Sequence, residues 1–218
     1  MEEILPSLKL YLGHLPYIDR QSLKDEFGLF QDLFFDECGV IIPAMDIIED
    51  PSLSETTLQL EINGEKQPPI ESLAENEFWV FYPASQIENP FLNHTWQFRP
   101  SIEPNTGEEA AIVTGGQAEQ QTWRENGYDI RTCQGYVIFS TAAQVRSHKA
   151  DFVNSRLVRF YLSRLQENYP ALIETVREVI SETDLIKELK SRLAEDESIK
   201  NLPGILEDLL ARQLISPT

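Results

Sequence analysis

The sequence is poor in the residues that carry most enzyme chemistry. It has two cysteines, Cys38 and Cys133, and three histidines, His14, His94 and His148. Two cysteines are too few for a disulfide framework or a four-cysteine zinc site. Both sit in apolar surroundings and read as small core residues of a protein kept in a reducing compartment. No H-E-x-x-H, C-x-x-C, G-x-S-x-G or G-x-x-x-x-G-K pattern occurs. Gly115-Gly116 lies within a helical pattern rather than after a strand, which makes it a poor phosphate loop. The acidic pairs Asp36-Glu37 and Glu108-Glu109 are neighbours in sequence, and adjacent helix residues do not face one another. The expectation is a protein with no catalytic residue, metal or cofactor. No apolar run approaches the ~18 residues of a membrane span, and residues 1–20 lack a basic start with an apolar core. The chain therefore reads as soluble, with no direct membrane contact.

Basic charge is also scarce. Lys+Arg total 18 against 36 Asp+Glu, a net of -18. Nucleic acids and anionic membranes are excluded as partners, because phosphate binding draws on Lys and Arg. The imbalance is uneven: residues 1–100 hold 5 basic against 18 acidic side chains, a net of -13. Residues 140–168 reverse it, with Arg146, Lys149, Arg156, Arg159 and Arg164 against Asp151 and Glu167. An acidic front and a basic helix suit contact between neighbouring copies, with Arg156 and Arg159 as interface residues.

What remains is an ordinary globular pattern, 41% hydrophobic and 25% charged. Leu8 to Gly13 reads as a strand. From Arg20 to Cys38, Leu23, Phe27, Phe30, Leu33 and Phe34 recur at spacings of three and four, a helix that Gly39 stops. Residues 40–48 and 56–63 read as strands, the second pointing Leu58, Leu60 and Ile62 at a core. Residues 64–76 read as a loop, and 78–84 as a buried strand carrying Trp79. Between 85 and 107, turns are expected at Asn89-Pro90, Arg99-Pro100 and Glu103-Pro104, with a short strand at 95–98. Aromatics there, Phe91, Trp96 and Phe98, form either core or an interaction patch. Residues 108–125 read as a helix weakened by Gly115-Gly116, and 128–131 and 136–139 as strand pieces. Ser140 or Thr141 is expected to cap a helix reaching about residue 168. Pro170 opens a helix to about 180, Ser181 or Thr183 another through Leu185, Leu189 and Leu193, and residues 199–214 form the last. The reading is α+β to about residue 140 and all-helical after it.

Residues 36–64, DECGVIIPAMDIIEDPSLSETTLQLEING, join a helix end, a Gly break, a strand with one proline, an acidic turn and a strand ending in Gly. In that order, at Glu37, Gly39, Pro43, Glu49, Asp50, Leu53, Leu60, Ile62 and Gly64, they resemble the cytoplasmic domain of the type III secretion and flagellar export-gate family (flagellar/HR/invasion protein export pore family). Four further segments are similar to the family in the same order: residues 10–19 (LYLGHLPYID), 126–145 (NGYDIRTCQGYVIFSTAAQV), 165–174 (LQENYPALIE) and 199–210 (IKNLPGILEDLL).

The resemblance implies a small split α/β subdomain, residues 1–77 and 128–140, with an inserted α+β subdomain at 78–127. An all-helical subdomain, 141–218, follows. It also implies a homo-oligomeric ring below an export pore, receiving export chaperones with their secreted substrates. The partner site it implies is a groove at an Asp-Pro-x-Phe-Gly segment and a helix-opening threonine. The matching residues here are Glu103, Pro104, Thr106, Gly107 and Thr141. Thr106 replaces the family's phenylalanine, Ile112 its usual tryptophan, and Ala142 the histidine after the threonine. The family's membrane half and fourth subdomain have no counterpart in the sequence. The chain is thus either a piece of a longer export-gate protein or a free-standing soluble adaptor of the same fold serving another pathway.

Overall fold

The computed structural model describes residues 6–87 and 96–215. The Asn89-Pro90 turn, Phe91 and His94 lie outside the described residues. The fold starts with a β-α-β unit. Strand β1 (Leu8–Leu12) runs parallel to β2 (Met45–Glu49) and antiparallel to β3 (Thr57–Ile62). Helix α1 (Arg20–Cys38) makes the crossover. Alternation in β1 buries Leu8, Leu10 and Leu12, and the register sets Leu10 opposite Leu60 of β3, so both strands offer leucines to one core. Asp19 caps α1 by accepting from the Gln21 and Ser22 N–H groups. Gly39 ends it at φ 77°, where a side chain would be strained.

Leu23, Phe27, Phe30, Phe34 and Cys38 form the buried face of α1, but Leu33 does not join them. Leu33 points outward, as does Leu29, at 64% and 68% exposure. Residues 40–44 are not strand, so β2 is shorter than its apolar run suggests. Residues 64–76 hold two short strands, β4 (Glu65–Lys66) and β5 (Ile70–Glu71), both paired with β3.

A second sheet has the order β7-β8-β6-β9: β6 (Glu77–Val80), β7 (Phe98–Ile102), β8 (Glu109–Thr114) and β9 (Ile130–Arg131). The helix expected over 108–125 is therefore strand β8, a break at Gly115-Gly116 and the helix α2 (Gln117–Glu125). Strand β8 lies between β7 and β6 with Ala110, Ala111, Ile112 and Val113 all buried, so its sequence shows no alternation. Gly115 is needed for close packing: a Cβ there would sit 2.9 Å from Glu119 Cβ. Pro100 is tolerated because β7 is an edge strand, paired on one side only. The sheet is covered on both faces. Trp79, Ala110 and Ile112 join the main core, while Phe78, Val80 and Val113 join Trp123 of α2 in a second, smaller one. Trp96 and Phe98 pack edge-on to Trp123 at 5.7 and 6.1 Å, so they belong to this small core.

The last helical block begins earlier than expected. Thr132 caps helix α3 (Cys133–Ser147), which absorbs residues 136–139. Tyr136, Val137, Ser140, Thr141, Ala142 and Ala143 are all buried, so α3 is packed around most of its circumference and shows no one-sided pattern. After a 3-10 turn (Lys149–Phe152), Asn154 caps α4 (Ser155–Leu165), so the expected single helix to 168 is two. Helices α5 (Pro170–Val179), α6 (Glu182–Ala194, capped by Ser181) and α7 (Leu202–Ile215) follow the sequence pattern. The architecture is α+β, and the main core runs from β1 to Leu206 of α7. Among the described residues, no helix is long and apolar enough to cross a membrane.

Candidate docking site

Residues 103–107 form the turn joining β7 to β8. The Glu103 N–H donates to Glu108 O at 2.8 Å, and the Gly107 N–H to Glu103 O at 2.9 Å. The Glu103 carboxylate is buried and accepts from the Asn105 N–H (3.0 Å), Asn105 Nδ2 (2.8 Å) and the Thr106 N–H. Burial alone would raise its pKa, but donors from Thr106 and Asn105 outweigh that and hold it below the usual carboxylate range. Glu103 therefore builds the turn and has no exposed oxygen face for acid/base work. Asn105, Thr106 and Gly107 are exposed, Pro104 is half-buried, and Gly107 adopts φ 74°. Ile102, at the end of β7, adds an exposed apolar side chain beside the turn.

Thr141 is placed differently. It lies in the interior of α3, fully buried, and its Oγ1 has no hydrogen-bond partner among the described residues; the same holds for Ser140 Oγ beside it. No hydrogen bond joins Thr141 to the 103–107 turn among the described residues. Ile112 is buried in β8, in register with Trp79.

The basic side chains of residues 140–168 are largely taken up within the chain. Arg159 makes a two-pronged contact with Glu182, at 2.8 and 3.2 Å. Arg146 pairs with Glu37 at 3.1 Å, and Lys149 with Asp196. Arg164 lies over the Phe160 ring, 5.4 Å from its centre. Arg156 is exposed and makes no ion pair among the described residues. It stands at the rim of an apolar cleft lined by Pro6, Ile41, Ile42, Pro43 and Phe160. The outward turn of Leu33 and the exposure of Ile41 could not be read from spacing, since both sit in apolar runs.

Of the two described histidines, His14 is exposed, its Nδ1 3.4 Å from Glu49 Oε1, and His148 is half-buried at the end of α3, its Nδ1 2.9 Å from Gln144 O. Cys38 and Cys133 are buried free thiols whose pKa values burial pushes up. Cys133 Sγ donates to Leu73 O at 3.1 Å. No group of three or more His, Cys, Asp and Glu side chains that could hold a metal occurs among the described residues.

Comparison with known proteins gives this arrangement its context. The Chlamydia pneumoniae CdsV protein, solved in complex with CdsO, is similar in fold with a TM-score of 0.81 at 18% identity, over 100% of this chain and 67% of that one. The nonameric SctV-C of EPEC gives 0.70 at 15% identity, over 97% of this chain and 61% of that one. The nonameric EscV cytosolic domain from the type III secretion system gives 0.68 at 15%, over 100% and 61%. The present chain thus spans about three-fifths to two-thirds of these relatives. A search of curated proteins returned no match. The FHIPEP family profile matches residues 5–216. Nearly the whole sequence is covered, and the chain belongs to the FHIPEP family, the flagellar/HR/invasion protein export pores whose cytoplasmic domains serve type III secretion.

Proposed function

We propose that the protein is a non-enzymatic docking and oligomerisation platform, the cytosolic part of an export gate, which receives chaperone-bound export substrates. The observation that carries this reading is the family match over residues 5–216. The docking turn is Glu103, Pro104, Thr106 and Gly107. Glu103 acts from beneath by holding the turn's N–H groups, and the exposed Thr106 and Gly107 make the contact. Thr141, being buried, contributes only by setting the position of α3. The proposed subdomains are residues 1–77 with 128–140, the insert 78–127 and the helical part 141–218, tied together by β9, which pairs with β6, and by α3, which runs across the 140/141 boundary. Association between copies fits the nonameric state of SctV-C and EscV. Arg159, held by Glu182, supports α4, and Arg156 is free to reach a second copy. The working site is the cytosolic face of the inner membrane.

A second reading, an adaptor of the same fold serving another pathway, is favoured by Thr106. An aromatic is the residue type that most often dominates a binding pocket, and the turn has none. Calorimetric titration with a purified export chaperone–substrate complex separates the two. Docking at the turn predicts binding that Thr106→Arg weakens at least tenfold with an unchanged melting temperature. Equal binding by the variant removes the turn from the site, and no binding by the natural protein favours the adaptor.

A further inference from the structure

A continuous strip of surface runs from the outer flank of α1, across residues 41–43, to α4. Two adjoining depressions share Ile41 and Ile42. One is bounded on α1 by Gly28, Asp32, Phe35 and Asp36; the other is bounded on α4 by Arg156 and Phe160. The order across the strip is acid, apolar, base. Its middle is exposed: Phe35, Ile41 and Phe160 stand 38%, 41% and 42% open to solvent. Apolar side chains grouped in this way between charged ends mark an interaction surface.

Two details show that the strip is unfinished within one chain. Asp32 and Arg156 are both exposed, and neither side chain has an ion pair or hydrogen bond among the described residues. Most charges around them are paired: Asp36 with Lys200 at 2.5 Å, Glu37 with Arg146, Arg159 with Glu182. Gly28 is the second detail. Glycine in a helix interior weakens the helix, and nothing lies within 4 Å of where its Cβ would be. Among the described residues no atom requires a glycine there, so the space beside it is open to a neighbour.

We infer that this strip binds a second copy of the chain across a two-fold axis, Asp32 of each copy meeting the partner's Arg156 around a shared Ile41–Phe160 centre. A strip with an acid at one end, a base at the other and apolar groups between them is complementary to itself when turned by 180°. That is the condition for a symmetric dimer contact. The opposite charges fix the relative orientation of the copies, and the apolar middle supplies area. This rests on the self-association in the proposed function but adds a contact to it. Nine copies in a ring meet head to tail, since an odd number cannot be paired by two-fold axes. The two-fold contact is therefore of a different kind from the head-to-tail contact of a nine-membered ring.

Sedimentation velocity over a range of protein concentrations tests this with two exposed single variants, Asp32→Lys and Arg156→Asp. The natural protein is expected to move from 25.0 kDa to twice that mass as concentration rises. Each variant should raise the dimer dissociation constant at least tenfold, with unchanged melting temperature. Mixing the two variants should restore the dimer, because the new lysine of one then faces the new aspartate of the other at one end of the strip, while Arg156 of the first faces Asp32 of the second at the other. A natural protein that stays at 25.0 kDa overturns both the inference and the self-association reading. Self-association that neither variant weakens overturns the strip alone and leaves self-association standing. Two weakened variants that do not recombine overturn the two-fold pairing.

Discussion

Tyr161 on α4 closes the turn that ends α1. Its hydroxyl donates to Gly39 O at 2.6 Å and accepts from the Ile41 N–H at 3.2 Å, joining positions 122 residues apart. A single side chain thus satisfies a carbonyl and an N–H that the end of α1 leaves unpaired, and it pins the helical block to the first sheet's crossover helix. Tyr161→Phe keeps the ring and removes both bonds. The expected loss is about 1–3 kcal/mol, since a polar group loses its partner in a partly buried place. Chemical denaturation of the variant measures it, and a loss near zero would show that water replaces the hydroxyl.

The same tyrosine predicts an alkaline weakness. Burial pushes its pKa up to about 12, partly offset by the Ile41 N–H. A tyrosine whose folded pKa lies above its unfolded value near ~10 contributes stability that is fully present below pH ~10. That contribution is lost as pH rises towards about 12. Melting temperature should fall more steeply over that window in the natural protein than in Tyr161→Phe. Parallel curves would contradict the assignment.

Gly39 tolerates no side chain. Its φ is 77°, and a Cβ would lie 2.4 Å from Lys200 N, a backbone atom that cannot step aside. Left-handed strain of roughly 1–2 kcal/mol adds to that clash. Gly39→Ala is expected to lose at least about 2 kcal/mol and to loosen the joint between Cys38 and Ile199, whose N–H donates to Cys38 O at 2.9 Å. Hydrogen exchange at Ile199 reports the local effect; unchanged protection there would contradict it.

Thr141 offers a test with the opposite sign. Its hydroxyl is buried without a partner among the described residues, so Thr141→Val, which removes the polar atom at nearly constant volume, should leave stability unchanged or raise it by about 1 kcal/mol. Thr141→Arg should fail to fold rather than selectively lose binding, because the position is fully buried. Denaturation midpoints of the two variants decide this. A destabilised valine variant would reveal a hydrogen bond to Thr141 in solution.

Much of the fold was legible in elements that bury one face. Leu8, Leu10 and Leu12 alternate, Leu23 to Phe34 follow helical spacing, and Gly39, Pro170 and Ser181 mark helix ends by their own backbone chemistry. Strand β8 and helix α3 were misread for a shared reason. Ala110–Val113 and Tyr136–Ala143 are covered on both sides, and double burial erases the period that separates strand from helix. Thr132 and Thr141 carry equal capping potential in sequence, and only packing decides that Thr132 caps while Thr141 is enclosed. At the candidate site, Glu103-Pro104 was readable as a turn, whereas the internal use of the Glu103 carboxylate and the Arg159–Glu182 pair depends on contacts that spacing does not encode.

Site-specific photo-cross-linking at Thr106 in cells tests docking most directly, because that side chain is exposed at the tip of the proposed turn. The account predicts adducts with an export chaperone or its bound substrate, lost when substrate synthesis is blocked. Adducts confined to proteins outside any secretion pathway, or none while a control position such as Leu33 cross-links efficiently, would contradict it.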